Sequence, residues 1–512
     1  MADLLFSIRL AKGFDPRVWE TAYITGIEGI PWFCQHELSG DEFRIGRQID
    51  ESGKLHLLWP TKSAGTVCLS TTSLRPVDHP YQLAVEIARG TLYQLKTQTD
   101  EWQRVGLRLP KEYFDLASKA TKHFLDALVG ISESEQATSA QEAIEHTLLA
   151  TQLLVDSFSL QALEARKNNE GRLATLLGCQ LDSTQGYPEQ EPALRESFNL
   201  GCVAADFGSV ESNSGKRNFE LFDSQVDWIS QSDQKLCVGP LVDFRKGQLP
   251  EWMILLNEGF ESIMEAACEH AARTVARYKG KVHLWNCATG VNVPNPLKWN
   301  DQEILQMAVA LIETVRKADE RTPVLLTIDQ PFSEYLRSCK EGISPLHFAD
   351  ALIRADLGLS GLALELNFDQ WPGGTFPRHL IELNQLIDRW SMLGLPLMIL
   401  LRSPTASASE PRDPAATRVS RWPLELESAE SDANSPQALP NINAAQGIIP
   451  PESIVRLLTS KPAVHAVIWS DQCDAKKDCS TGEGILCGLW DQQGQPKQLL
   501  TSTAKLRDSY LH

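Results

Sequence analysis

The feature that most constrains the fold is a rhythm in the chain beyond Ser197. Seven apolar runs recur there: "FNLGCVAADF", "KLCVGPLVDF", "KVHLWNCATG", "PVLLTIDQ", "LSGLALELNF", "LPLMILLRS" and "HAVIWSDQ". Amphipathic stretches such as "EGFESIMEAACEHAARTVARY" and "DQEILQMAVALIETVRKA" separate most of them. Near-continuous apolar strands, each followed by a helix, are the pattern of a parallel sheet covered by helices. Seven strands, with an eighth expected near "GSVESNSG", predict an α/β protein built on a (β/α)8 TIM barrel. An open doubly wound sheet would place a Gly-rich phosphate loop after its first strand, and "GCVAADFGS" is not one.

Upstream the pattern changes twice. Over residues 1–108, short β-branched runs broken by Gly, Asp and Pro predict a β-sandwich-like domain, closed by a helix at "YQLAVEIARGTLYQL". Residues 109–190 read as a helical hairpin and linker. Phe114, Ala117, Phe124, Leu125 and Leu128 mark the apolar face of its first helix, and "GISESEQATSAQ" the turn. The barrel is expected over 191–512. Residues 404–450, rich in Pro, Ala, Ser and Glu, read as a flexible loop insertion.

Composition narrows the function classes. The balance of 48 basic to 66 acidic residues, net −18, opposes a nucleic-acid surface, which needs a basic footprint. No apolar run is long enough to span a membrane and no signal peptide is evident at the N-terminus, so a cytoplasmic protein is expected. The 11 cysteines are scattered through apolar runs, which fits reduced thiols. Cys473, Cys479 and Cys487 cluster without a CxxC pair or matching histidines, and neither a metal nor a cofactor is expected.

Three pieces in order carry a family likeness: "QLPEWM" (Gln248–Met253), "RYKGKVHLW" (Arg277–Trp285) and "LGLPLMILL" (Leu393–Leu401). With "RNFELFDSQVDW" and "AVIWSD", they make the region from Phe198 onward resemble glycoside hydrolase family 10, the endo-β-1,4-xylanase barrels. The resemblance implies retaining hydrolysis, which needs one carboxyl group as acid/base and a second, ~5 Å away, as nucleophile. It places Gly290 where the acid belongs and Thr289 where an Asn holds the sugar. Leu401 stands at the nucleophile position, and Glu365 replaces a His near it. A glycine cannot donate a proton and a leucine cannot attack a sugar carbon, so the usual mechanism is expected to be absent.

Other carboxylates stand at strand C-termini, the end where barrel sites are built: Asp206, Asp243, Asp329, Glu365, Asp369 and Asp471. Relocated catalysis would be led by Glu365 with Asp243 or Asp329. The structural reading, which carries more weight, has these acids capping helices or pairing with Arg402 or Arg412. His283 and His347 read as structural histidines, and Trp285 as core or a supporting layer. Candidate ligand-binding residues are Phe244, Asn286, Thr289, Glu365, Arg402 and Trp469. Phe244 and Trp469 are expected as sugar-stacking platforms, Trp469 in the barrel mouth, and Trp371 is as consistent with an exposed loop.

The leading expectation is a catalytically degenerate, xylanase-like barrel that keeps a cleft for a saccharide or a protein partner. The second is an active hydrolase of β-linked poly- or oligosaccharides using relocated carboxylates. The third is a structural or assembly scaffold.

Overall fold

The structure, a computed structural model, describes residues 2–8, 16–181, 191–245, 247–255, 259–294, 297–368, 374–405, 449–474 and 486–512. The first part is β-rich. Strands β1 (Ala2–Ser7), β2 (Tyr23–Thr25), β3 (Cys34–Ser39), β4 (Glu42–Arg47), β5 (Lys54–Thr61), β6 (Gly65–Ser70) and β7 (Tyr81–Gln82) make two sheets. Their orders are β3-β4-β1-β7 and β2-β5-β6. Alternation sends Phe6 and Phe43 of one sheet and Leu57 and Leu69 of the other into a shared core.

Three helices follow: α1 (Leu83–Arg104), α2 (Lys111–Val129) and α3 (Glu133–Glu170). Ile87 of α1 and Ile144 of α3 complete the core under the sheets. The turn before α3 is shorter than the Ser/Gln-rich stretch suggests. Ser132 accepts from the Glu135 backbone while Glu135 reaches back to the Ser132 N–H, a capping box that starts the helix at once. The expected apolar face of α2 is also displaced. Phe114, Leu125 and Leu128 are exposed, Ala117 and Phe124 pack half-buried against the core as expected, and Tyr113, Ala120 and Ala127 are the fully buried residues. Small alanines let α2 and α3 approach, which the larger side chains would prevent.

Eight parallel strands then close into a barrel: β8 (Leu176–Gln180), β9 (Leu200–Val203), β10 (Lys235–Val238), β12 (Leu284–Asn286), β14 (Val324–Ile328), β15 (Gly361–Asn367), β16 (Leu397–Arg402) and β17 (Val464–Trp469). The seven strands read from the sequence are all present. The eighth is "LLGCQ" at β8, inside the span expected to be linker, so the barrel starts before residue 191. The segment at 208–215 begins instead with the end of a helical turn.

Helices α4 (Glu191–Ser197), α5 (Phe207–Val210), α6 (Glu220–Ser230), α7 (Glu251–Leu255), α8 (Phe260–Tyr278), α9 (Asp301–Ala318), α10 (Pro345–Arg354), α11 (Leu380–Ser391), α12 (Pro451–Ser460) and α13 (Gln498–Tyr510) surround or follow the strands. Outward residues such as Leu326, Leu364 and Ile399 pack under them. Inward residues Cys202, Cys237, Leu325, Ala363, Met398 and Ile468 fill the barrel's lower layers. Among the described residues, no helix is long and apolar enough to cross a membrane.

The β-rich part is fastened to the barrel. Arg456 of α12 pairs with Asp156 of α3 at 2.9 Å, and Cys68 of β6 donates its N–H to Pro377 O at 2.8 Å.

Candidate functional site

Inward positions turn polar toward the strand C-termini. On β14 the inward series is Leu325, Thr327 and then Asp329 just past the strand; on β15 it is Ala363, Glu365 and Asn367. Asn286 of β12 donates to the Thr327 hydroxyl at 2.8 Å, closing one polar layer. Above it, β10 and β12 are prolonged by a two-stranded ladder, β11 (Val242–Asp243) with β13 (Ala288–Thr289). The prolongation passes through Gly239, where an added Cβ would lie 2.1 Å from Asn286 O, so only glycine lets the strands approach there. This ladder carries Asp243, Arg245, Thr289 and Gly290 over the barrel mouth.

Arg245 organises the site. Its guanidinium grips Asp243 with Nε to Oδ1 at 2.9 Å and Nη2 to Oδ2 at 2.6 Å, and Nη1 reaches Glu365 Oε1 at 2.7 Å. Asp329 sits behind, 2% exposed, accepting from Gly290 N at 2.7 Å and Thr289 Oγ1 at 3.1 Å. It also shares a hydrogen bond with Glu365. Burial and the neighbouring Glu365 charge push the Asp329 carboxyl well above the usual range. Burial would raise Glu365 as well, but Arg245 and the hydrogen bond from Asp329 outweigh it and hold Glu365 below its ordinary value. The two carboxyl groups are thus driven in opposite directions, Asp329 up and Glu365 down, with Arg245 over Glu365.

Gly290 and Leu401, the residues expected at the acid and nucleophile positions, take main-chain and core places. Gly290 has φ +74°, and an added Cβ would meet Arg245 N at 2.8 Å and Phe244 C at 3.1 Å. The chain at Phe244 and Arg245 occupies the space that a side chain at 290 would need. Leu401 is fully buried and points outward, into the layer beneath the helices. The inward residue at the top of β16 is Arg402, paired with Asp471 at 2.6 Å.

The aromatic expectations are corrected. Phe244 is fully buried, with its ring at 5.0 Å from that of Trp299. Trp469 is 3% exposed and faces outward, donating Nε1 to Cys487 O at 2.8 Å. Neither leaves a ring face open to a sugar. Asn286 and Thr289 are likewise buried at 2% and spend their side chains on Thr327 and Asp329. Of the candidate binding residues, Glu365 and Arg402 keep partial exposure.

The remaining candidates take structural places. Asp206 caps α5 through Ser209, and Trp285 is buried with Nε1 on Asp319. His283 Nδ1 accepts from Leu236 N at 3.1 Å. His347 lies in the first turn of α10, its N–H donating to the Ser344 hydroxyl. Asp369, Trp371, Arg412 and Cys479 lie outside the described residues, as does most of the 404–450 insertion. Among the described residues no cluster of three metal-ligating side chains occurs.

Sequence reasoning missed Arg245 and Asn292. Arg245 follows Asp243 by two, the spacing that puts both on one face of an extended strand, and that was the available signal. Asn292 clamps the Asp329 main chain from both sides, with bonds of 2.9 Å to its O and from its N. A loop asparagine gives no sign of such a contact.

No protein-family model matches the chain, and no curated protein matches it. Solved structures do. Xylanase 10B from Thermotoga petrophila RKU-1, determined with xylobiose, is 13% identical over 66% of this chain and 94% of that one, with a TM-score of 0.45. A GH10 structure from Paenibacillus barcinonensis is 14% identical over 68% and 97%, TM-score 0.45. Xylanase B from Clostridium stercorarium F9 is 12% identical over 67% and 98%, also at 0.45. The barrel assignment rests on the closed strand order and register of this chain.

Proposed function

We propose that this protein is a xylanase-like barrel that no longer hydrolyses glycosidic bonds and uses its mouth as a binding cleft for a saccharide. The observation that carries the reading is Arg245, whose guanidinium engages Asp243 through three bonds and Glu365 through a fourth. A retaining glycosidase needs two carboxyl groups flanking the scissile bond with a sugar between them. Here Glu365 and Asp329 are bonded to each other, and Asp243 is taken up by the guanidinium. The partly exposed Arg245, Glu365 and Arg402 are the polar groups at the mouth that sugar hydroxyls would meet.

A second reading has one observation in its favour. Asp329 is pushed up and Glu365 held down, and paired groups with separated pKa values are how acid and base roles are divided. The test is to incubate the protein with xylan and aryl β-glycosides and to titrate it with xylo-oligosaccharides by calorimetry. Binding without released sugar is expected. Turnover that disappears in Glu365→Gln would overturn the degenerate reading in favour of the second. Neither turnover nor sugar binding would leave a protein partner or a scaffold role.

A further inference from the structure

Away from the mouth, a cleft with a cavity volume of about 90 Å³ opens where the three-stranded sheet meets the barrel. Its origin is legible in strand register. Tyr23 and Thr25 of β2 lie opposite His56 and Lys54 of β5, and Ser70 of β6 lies opposite His56. Alternation places all five on the face turned toward the barrel. Further along the same face, Leu58 and Cys68 pack on Phe376 in a closed apolar contact. At the cleft end the side chains are polar and leave space against α11, where Gln385, Leu386 and Arg389 form the other wall.

The charges there do not cancel. Arg378, 2% exposed, bonds Glu382 at 2.9 Å and also Glu334 and the Tyr23 hydroxyl, so this buried triad carries one net negative charge. Lys54 and Arg389 add two positive charges. Neither forms an ion pair or side-chain hydrogen bond among the described residues. With Arg337 also acting on Glu334, the cleft is left with a surplus of positive charge. Arg389 is held against the Gly26–Gly29 turn, where a Cβ on Gly29 would lie 2.7 Å from its Nη1. His56 bonds Thr25 at 2.9 Å and stacks on Tyr23 at 4.8 Å, leaving Nδ1 buried and unpartnered. Burial first, with Arg378, Lys54 and Arg389 nearby and Glu382 opposing them, holds this imidazole down at about 3. It is a neutral wall, so the positive charge rests on the two long side chains.

We infer that this interdomain cleft binds a small hydrophilic anion, a carboxylate or a phosphate monoester, whose charged group meets Lys54 and Arg389. Thr25, Ser70, Gln94 and Gln385 supply neutral donors and acceptors along the walls for hydroxyl groups of the ligand. Such a ligand would touch both the sheet and α11 and would thereby tie the β-rich part to the barrel.

The experiment is a calorimetric titration of the full chain with D-gluconate, glycerol 3-phosphate and sorbitol. Gluconate and sorbitol are both polyols and differ chiefly in charge, and the two anions separate carboxylate from phosphate. Saturable binding of at least one anion and none of sorbitol is expected. Lys54→Gln and Arg389→Gln should each weaken binding about tenfold, the loss of one charge-assisted contact. Both side chains reach solvent, so an unchanged thermal midpoint should show that the variants fold, and Arg389→Lys should restore part of the affinity. Absence of anion binding, equal binding of sorbitol, or undiminished binding by the double variant would overturn the inference.

Discussion

At Gly290 the backbone and its neighbours leave no room for the acid that the xylanase resemblance implies. Gly290→Glu should therefore fail to restore hydrolysis and should lower stability by about 1–3 kcal/mol, from the left-handed φ and the contact with Arg245 N. Chemical denaturation measures the second effect, and an unchanged midpoint would refute it. Asp329 allows a pH prediction. Its folded pKa is raised, so the folded state holds a proton that the unfolded state has released once the pH passes about 4. Its stabilising contribution is complete below that point and is lost as pH rises through the folded value. Asp329→Asn keeps an acceptor for Gly290 N and a donor for Glu365 while abolishing the titration. The variant should flatten the decline in stability above about pH 4, and an unaltered denaturation profile across pH would contradict this. Glu365 runs the opposite way. Its depressed pKa stabilises above the unfolded value and the gain fades as acid protonates it.

At the scale of elements, α3 is the piece most exposed to a single local change. It runs for 38 residues from a cap at Ser132, and its later turns pack on α12 of the barrel. Ser132→Ala removes the side-chain acceptor at its first turn and should cost about 1 kcal/mol, measured by denaturant midpoint. The barrel strands were legible from sequence because burial on both faces forces continuous apolar runs. β8 was not: "LLGCQ" is five residues long, and its neighbours "NNEGRLA" and "DSTQGYP" read as linker. The faces of α2 were misread for a different reason. Periodicity reports that one stripe is apolar, but the closest helix contact selected the alanine stripe beside it.

Across the whole molecule, Arg378 joins the two halves. It lies in the β15–α11 connection, yet bonds Tyr23 of β2 as well as Glu334 and Glu382. Burial would raise Glu382, but Arg378 first, then His379 and His56, bring it down to about 2. Arg378→Met would strand two buried carboxylates, at 1% and 7% side-chain exposure, and should cost about 3–5 kcal/mol. Because the loss falls at the junction, limited proteolysis should cut between the β-rich part and the barrel in the variant before it cuts elsewhere. Proteolysis indistinguishable from the parent protein would argue that other contacts, such as Arg456–Asp156, hold the junction alone.

Architecture class was in the sequence, since a strand buried on both faces and a helix buried on one leave different periods that no distant residue can erase. The absence of a carboxylate at Gly290 and at Leu401 was there too, as plain residue identity. How Glu365, Asp329 and Asp243 are engaged was decided in three dimensions. They stand on separate strands, and only closure of the barrel and the β11–β13 prolongation bring them under Arg245. The inward turn of Arg402 and the outward turn of Leu401 and Trp469 depend on strand register, where a shift of one residue exchanges the two faces. The cleft beside Lys54 and Arg389 has the same origin, because residues 54 and 389 meet only when the sheet docks on the barrel.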